Sequence, residues 1–286
     1  MARAQQAPAV GLVLCGVVSV QVGAAVATTL FDELGPAGTV LVRVLFAAVA
    51  LVAVWRPTLR GTSSEALRLV AAFGVVLAAM NLCFYEALDR IPLGIAVTLE
   101  FIGPLGVAIA GSRRALDLVW VLLAAGGIVL LSPAPGGSLD ALGAGLAFLA
   151  GGFWAGYILL SARVGRTSSG GGGLALAMVV ATAVLLPVGI PGGGSELLDP
   201  GVLAIGCAVA LLSSAIPYSL ELEALRRLAA GTFGVLMSLE PAVAAIAGLV
   251  ILGQDLSLTE VAAIVLVVAA SAGALGTARA APAPEA

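Results

Sequence analysis

The 286-residue chain is 61% hydrophobic and only 10% charged, with a formal net charge of −3 and a mean hydropathy of +1.16. This excludes an ordinary soluble domain, in which about half the residues are apolar and a quarter charged, and no nucleic-acid partner is expected. The chain has no His, so the usual near-neutral proton switch and the commonest metal ligand are both missing, and neither a metal nor a cofactor is expected.

Apolar runs long enough to cross a bilayer, about 17 to 25 residues each, fall at 8–30, 37–55, 67–87, 93–111, 117–132, 140–160, 173–190, 201–221, 230–252 and 259–277. The first, Pro8 to Leu30, is longer than a signal-peptide core and is expected to stay as a helix. Cys15, Cys83 and Cys207 lie far apart in apolar runs, and buried packing roles are expected for them.

With the N-terminus inside, Arg3, Arg56, Arg60, Arg68, Arg113, Arg114, Arg163, Arg166, Arg226, Arg227 and Arg279 all fall on the cytoplasmic side. Arg90 alone falls outside, and Arg43 lies within a span. That bias is the positive-inside pattern, and a missed or extra span would break it.

The stretch from Glu86 to Gly111, shifted by 137 residues, lies on Glu223 to Gly248 with eleven of 26 positions identical. Chance would supply roughly a tenth, so the chain reads as a duplication. Two five-span halves, 1–132 and 140–277, are expected, joined by PAPGGSL at 133–139, with residues 278–286 expected as a disordered cytoplasmic tail. An odd number of spans per half makes the second half enter from the opposite side. The expected fold is therefore all-α, with ten transmembrane helices in two inverted repeats and a site near the midplane. Ser168 to Gly173 is a Gly-rich linker without the Lys of a phosphate loop.

A charge inside a span costs about 2.5 to 3.5 kcal/mol, so such residues face a cavity or a partner. Glu100 stands four residues before Pro104 and Glu240 directly before Pro241. The repeat displaces the two acids by three residues along equivalent spans, one helical face. Each proline leaves the carbonyl four residues earlier, on Glu100 and on Met237, without its usual partner. The acids are expected to bind a substrate amine, to carry a proton or to do both in turn; the competing reading is a structural acid satisfied by Arg43, Tyr or Ser. Arg43 is placed to take a substrate carboxylate bidentately, or to snorkel outward or neutralise Glu86 or Asp32. Glu86 beside Arg90, and Glu223 beside Arg226 and Arg227, read as interfacial ion pairs.

Gln21, Asn81, Tyr85, Trp154, Tyr157, Ser214, Tyr218, Ser219 and Ser238 are the polar and aromatic groups that could complete a candidate site. Asn81 and Tyr85 are four apart, as are Ser214 and Tyr218, so each pair shares a helix face. Trp154 and Tyr157 form an expected aromatic wall, with interfacial anchoring as the alternative for Tyr157 and Tyr218 and the leading reading for Trp55 and Trp120. Small-residue runs such as Gly143 to Gly152 are expected to let helices approach closely.

The strings IPLGIAVTLEFIGPL (Ile91 to Leu105), SRR (Ser112 to Arg114), WAGYIL (Trp154 to Leu159), PYSLE (Pro217 to Glu221) and FGVLMSLEPA (Phe233 to Ala242) resemble the EamA family of the drug/metabolite transporter superfamily. Within it they are similar to the bacterial threonine/homoserine exporter group, as are QVGA at Gln21, Arg43 and MNLCFY at Met80. The resemblance implies a multi-pass carrier of the bacterial inner membrane with both termini cytoplasmic. It implies proton-driven export of small amino acids by alternating access, and a homodimer is compatible with it. The expected partners are a small-molecule amino acid, protons and the lipid bilayer. An aromatic amino acid, a purine or a drug is the alternative cargo, and a non-transporting scaffold or sensor the remoter reading. No nucleophile with a recognisable base is present, so an enzyme is not expected.

Overall fold

The computed structural model describes residues 2–58, 63–110, 116–131, 139–167, 171–217, 220, 224, 233 and 236–278. In chain order these form α1 (Ala2–Thr28), α2 (Phe31–Trp55), α3 (Ser64–Leu88), α4 (Leu93–Glu100), α5 (Ile102–Ala110), α6 (Leu116–Leu131), α7 (Ala141–Thr167), α8 (Gly172–Gly193), α9 (Pro200–Ala210), α10 (Glu240–Leu252) and α11 (Leu258–Ala278). A 3₁₀ turn, Gly194–Leu198, follows α8, and a π-helical turn, Leu211–Ala215, follows α9. The described residues contain no strand. Tyr218, Ser219, Glu223, Arg60, Arg113, Arg114, Arg226, Arg227 and Arg279 lie outside them, as do most of the predicted connection at 133–139, the linker at 168–170 and the tail from 279.

Five stretches are long and apolar enough to cross a membrane: Ala9–Thr28, Phe31–Trp55, Ser64–Leu88, Ala141–Gly165 and Gly172–Leu198. Shorter apolar helices cover Leu93–Val107, Val119–Leu130, Pro200–Ala215, Glu240–Leu252 and Leu258–Ala274. Large apolar side chains stand on the outer faces, among them Leu122, Val129, Val250 and Val265, which suits a surface that meets lipid rather than water. The chain is an all-α, multi-pass membrane protein.

Several polar residues at the helix ends cap their helices. Asp140 accepts from Gly143 N at 2.6 Å, Asp199 from Gly201 N and Val202 N at 2.7 and 3.0 Å, and Ser63 from Ala66 N at 3.2 Å. Ser257 and Glu260 form a capping box that opens α11, so these groups satisfy N–H donors that a helix start leaves unpaired. Helix α2 bends at Gly35, whose φ of +62° lies in the left-handed region, and runs on from Pro36, a residue already shaped for a first helical turn. This explains why α2 begins at Phe31 rather than at residue 37.

Helix α2 packs on α8, α3 on α7 and α8, α4 on α10 and α7, α6 on α11, and α1 on α10, α9 and the π turn. In lipid the hydrophobic effect does not draw helices together, so close packing and small residues do that work. A Cβ on Gly94 of α4 would lie 2.7 Å from the Ala245 Cα of α10. The amide of Gln254, just beyond α10, reaches back to accept from Leu93 N at 3.0 Å and caps α4 from another part of the chain.

Four expectations are corrected. The span at 93–111 is not one helix: it breaks at Phe101 between α4 and α5. Glu240 does not sit mid-helix but opens α10. Trp120 is not a free interfacial anchor; it packs on Gly273 of α11 with its indole nitrogen buried. Cys15 is exposed on α1 rather than buried, and Cys83 and Cys207 are half-buried; all three are free thiols.

Candidate functional site

Arg43 of α2 projects inward, and its guanidinium is held by neutral groups. Its Nε donates to Ser213 Oγ at 2.7 Å, its Nη1 to Asn81 Oδ1 at 2.6 Å and its Nη2 to the Ser213 carbonyl at 3.5 Å. The guanidinium also lies over the Tyr85 ring, 5.4 Å from the centroid. Asn81 and Tyr85 share one face of α3, so a single helix presents both to the cation. The Asn81 Nδ2 donates to Leu77 O at 2.8 Å, which turns its carbonyl oxygen toward Arg43.

The π turn explains the third partner. A turn with i to i+5 bonding displaces the carbonyls from their usual donors, and here Ile216 N bonds to Leu211 O. The released Leu212 carbonyl accepts from Ser19 Oγ of α1 at 2.6 Å, and the Ser213 carbonyl faces Arg43. Ser213 Oγ donates in turn to Val209 O at 2.6 Å, which leaves its lone pair for Arg43. Arg43 thus ties α2, α3 and the π turn together, and among the described residues no carboxylate forms an ion pair with it.

Glu100 ends α4 and is 8% exposed. Phe101 follows with φ −64° and ψ −11°, and its ring meets Trp154 of α7 edge-on at 5.4 Å. Pro104 removes the donor that the Glu100 carbonyl would have used. Gly151 of α7 fills that place: a Cβ there would lie 2.6 Å from the Glu100 oxygen, so the glycine Cα closes on it. A Cβ on Gly103 would collide with the Gly151 carbonyl, so the contact is reciprocal. Such Cα–H to carbonyl contacts contribute about 0.5–1 kcal/mol each. Arg43 is within electrostatic reach of Glu100, and among the described residues no hydrogen bond reaches its carboxylate.

Glu240, 6% exposed, is the first residue of α10, preceded by a turn at Ser238 and Leu239. Pro241 then occupies the first helical turn, where a missing N–H costs nothing because those donors are unpaired anyway. The expected loss of a partner for the Met237 carbonyl therefore does not apply. The repeat offset of 137 sets Phe101 opposite Ser238, so both acids flank backbone breaks at equivalent points. They stand on α4 and α10, which pack against each other.

The other candidates divide. Gln21 is 2% exposed on the α1 face it shares with Ala24 and Ala25, and its Oε1 has no partner among the described residues. Ser214 is buried within the π turn and Ser238 in the turn that precedes α10. Trp154 stays at the Glu100 break, whereas Tyr157 packs on Phe73 of α3 at 5.2 Å, so the two do not form one aromatic wall. Tyr218 lies outside the described residues. Glu86 makes no ion pair with Arg90 among the described residues, and the Arg90 Cβ packs toward Gly143 instead. Ser213 and Ser19 escaped the sequence reading, although the Ser213–Ser214 doublet in an apolar run was a signal for them. A groove of 680 Å³ between α5 and α7, lined by Ile102, Gly106, Phe148 and Gly152 among others, holds none of the candidate residues.

Comparison with known proteins gives a consistent picture. Residues 141–276 match the EamA-like transporter family. The threonine/homoserine exporter RhtA of Salmonella typhimurium (strain LT2) is 40% identical over 274 residues, 95% of this chain and 92% of that protein. The protein of the same name from Escherichia coli (strain K12) is 41% identical over 271 residues, 94% of this chain and 91% of its own. One crystal structure, 21% identical, superposes with a TM-score of 0.60 over 94% of this chain and 99% of that one, which shows a shared fold.

Proposed function

We propose, on the premise that this chain belongs to the EamA-like transporter family, that it exports small amino acids such as threonine and homoserine across the bacterial inner membrane. The observation that carries the reading is Arg43, a cation set among apolar helices whose hydrogen-bond partners among the described residues are neutral. A guanidinium has five N–H donors in a fixed fork, and three bonds to Asn81 and Ser213 leave two for a ligand carboxylate. Relatives named as threonine/homoserine exporters supply the substrate class.

The substrate zwitterion places its carboxylate on Arg43 and its ammonium on Glu100 or Glu240. A proton arriving from outside neutralises the acid, releases the amine there and resets the carrier. Both acids stand where a helix is broken, the kind of place at which transporters of this architecture bind substrate and coupling ion. An aromatic cargo would want the Trp154–Tyr157 wall, and those rings pack apart.

The carrier is two inverted five-helix halves, residues 1–132 and 140–277, with both termini cytoplasmic, and it works by alternating access. The 137-residue repeat and the arginine bias support this. The helix contacts support it too, because they occur in exchanged pairs: α3 on α7 has its counterpart in α9 on α1, and α3 on α8 in α9 on α2. The test is uptake of labelled threonine and homoserine by everted vesicles, with and without an imposed proton gradient. Gradient-driven accumulation above vesicles lacking the protein is expected, and its absence for both amino acids would overturn the reading.

A further inference from the structure

Tyr85 is 0% exposed, and among the described residues its hydroxyl makes no hydrogen bond of full geometry, with the Arg43 guanidinium as its polar neighbour. A polar group stripped of water and left unmet is costly. The packing around it does not call for a hydroxyl: Phe31 and Phe84 lie 5.9 and 6.2 Å away, centroid to centroid, and the Arg43 guanidinium rests on the ring. A phenylalanine would make the same ring contacts and the same cation–π contact without the unmet group. The hydroxyl therefore needs a partner that arrives from elsewhere, beside a cation placed for a carboxylate.

We infer that Tyr85 is a specificity-determining residue whose Oη hydrogen-bonds the side-chain hydroxyl of the amino acid whose carboxylate Arg43 holds. The inference rests on the proposed function and deepens it. A hydroxyl two or three bonds beyond the α-carbon lies about 3 to 5 Å from the carboxylate carbon by ordinary bond lengths, and the Tyr85 ring stands beside the cation, its centroid 5.4 Å from the Arg43 guanidinium carbon. A phenol hydroxyl rotates and both donates and accepts, so it serves a hydroxyl on the β-carbon, as in threonine, or on the γ-carbon, as in homoserine. These two amino acids share one carbon skeleton, and removal of the hydroxyl turns either into 2-aminobutyrate. One tyrosine thereby separates two substrates from a single analogue. A site built to bond a hydroxyl rejects the compound lacking it, because its own polar group is left unpaired.

The test is transport of labelled threonine, homoserine and 2-aminobutyrate by purified wild type and Tyr85→Phe in liposomes. Wild type is expected to prefer each hydroxy amino acid over 2-aminobutyrate by about tenfold or more, and the variant to bring both ratios within about twofold while still moving 2-aminobutyrate. Unchanged ratios in the variant would overturn the role of Tyr85 and leave the exporter reading standing. Failure of wild type to move any of the three would overturn both. Should the variant be inactive toward all three, wild type alone decides by competition against labelled homoserine. Unlabelled 2-aminobutyrate inhibiting as well as threonine overturns the inference, and inhibition about tenfold weaker upholds it.

Discussion

Gly151→Ala tests whether the close approach of α7 to the break at Glu100 matters for transport. The added methyl would stand 2.6 Å from the Glu100 carbonyl oxygen, a backbone atom that cannot swing aside. Ordinary contact begins at 3.4 Å, so α7 and the end of α4 must separate by about 0.8 Å. Overpacking of this kind costs about 1–3 kcal/mol, and a displacement approaching 1 Å at a reacting group slows turnover by up to about 100-fold. The neighbouring Gly152→Ala is the control, because nothing lies within 4 Å of a Cβ placed there. Export of labelled threonine from proteoliposomes and melting of the detergent-solubilised protein are measured for both variants. The expected result is a 10- to 100-fold loss of transport and a lower melting temperature for Gly151→Ala, with Gly152→Ala unchanged. Equal behaviour of the two variants would refute the reasoning, since only one of them meets an atom.

Three further predictions concern the site and its frame. Arg43→Lys keeps the charge but cannot span Asn81 and Ser213 with one ammonium, so KM for threonine is expected to rise by about 10-fold or more in vesicle kinetics. Glu100→Gln and Glu240→Gln each keep the side-chain shape, and each is expected to leave the protein in the membrane but insensitive to an imposed proton gradient. Gradient-stimulated transport in both variants would remove these acids from the mechanism. Asp199→Ala removes the acceptor for two amide donors at the start of α9 and is expected to cost about 1 kcal/mol in thermal stability, with KM for threonine unchanged.

Much of the scaffold was legible because the bilayer constrains the sequence strongly. A span must be apolar for its whole length, and spans show as long runs. The candidate groups were legible because a charge or amide inside such a run is costly: Arg43, Asn81, Glu100 and Glu240 each stood out for that reason. Prolines marked Glu100 and Glu240 as places where the helix changes. They did not say which change, since a proline that starts a helix and a proline that interrupts one look alike in sequence; Pro241 starts α10, and Pro104 follows a break after α4. Ser213 was passed over because one hydroxyl in an apolar run can bond back within its own helix, and a π turn has no residue signature here.

The sequence alone determined that this is a multi-pass helical membrane protein, that residues 86–111 match residues 223–248 at eleven of 26 positions, and that a few polar groups lie within its apolar runs. Only the tertiary structure decided how those groups combine. Arg43, Asn81 and Ser213 are separated by tens of residues along the chain, and their hydrogen bonds exist because α2, α3 and the π turn pack side by side. It also divided Trp154 from Tyr157, three residues apart on one helix, by giving each a different ring to pack on. The physical reason is that in lipid the apolar runs have no strong preference for one another, so shape settles the arrangement: the glycines that admit a neighbouring backbone, and the broken turns whose carbonyls need a partner.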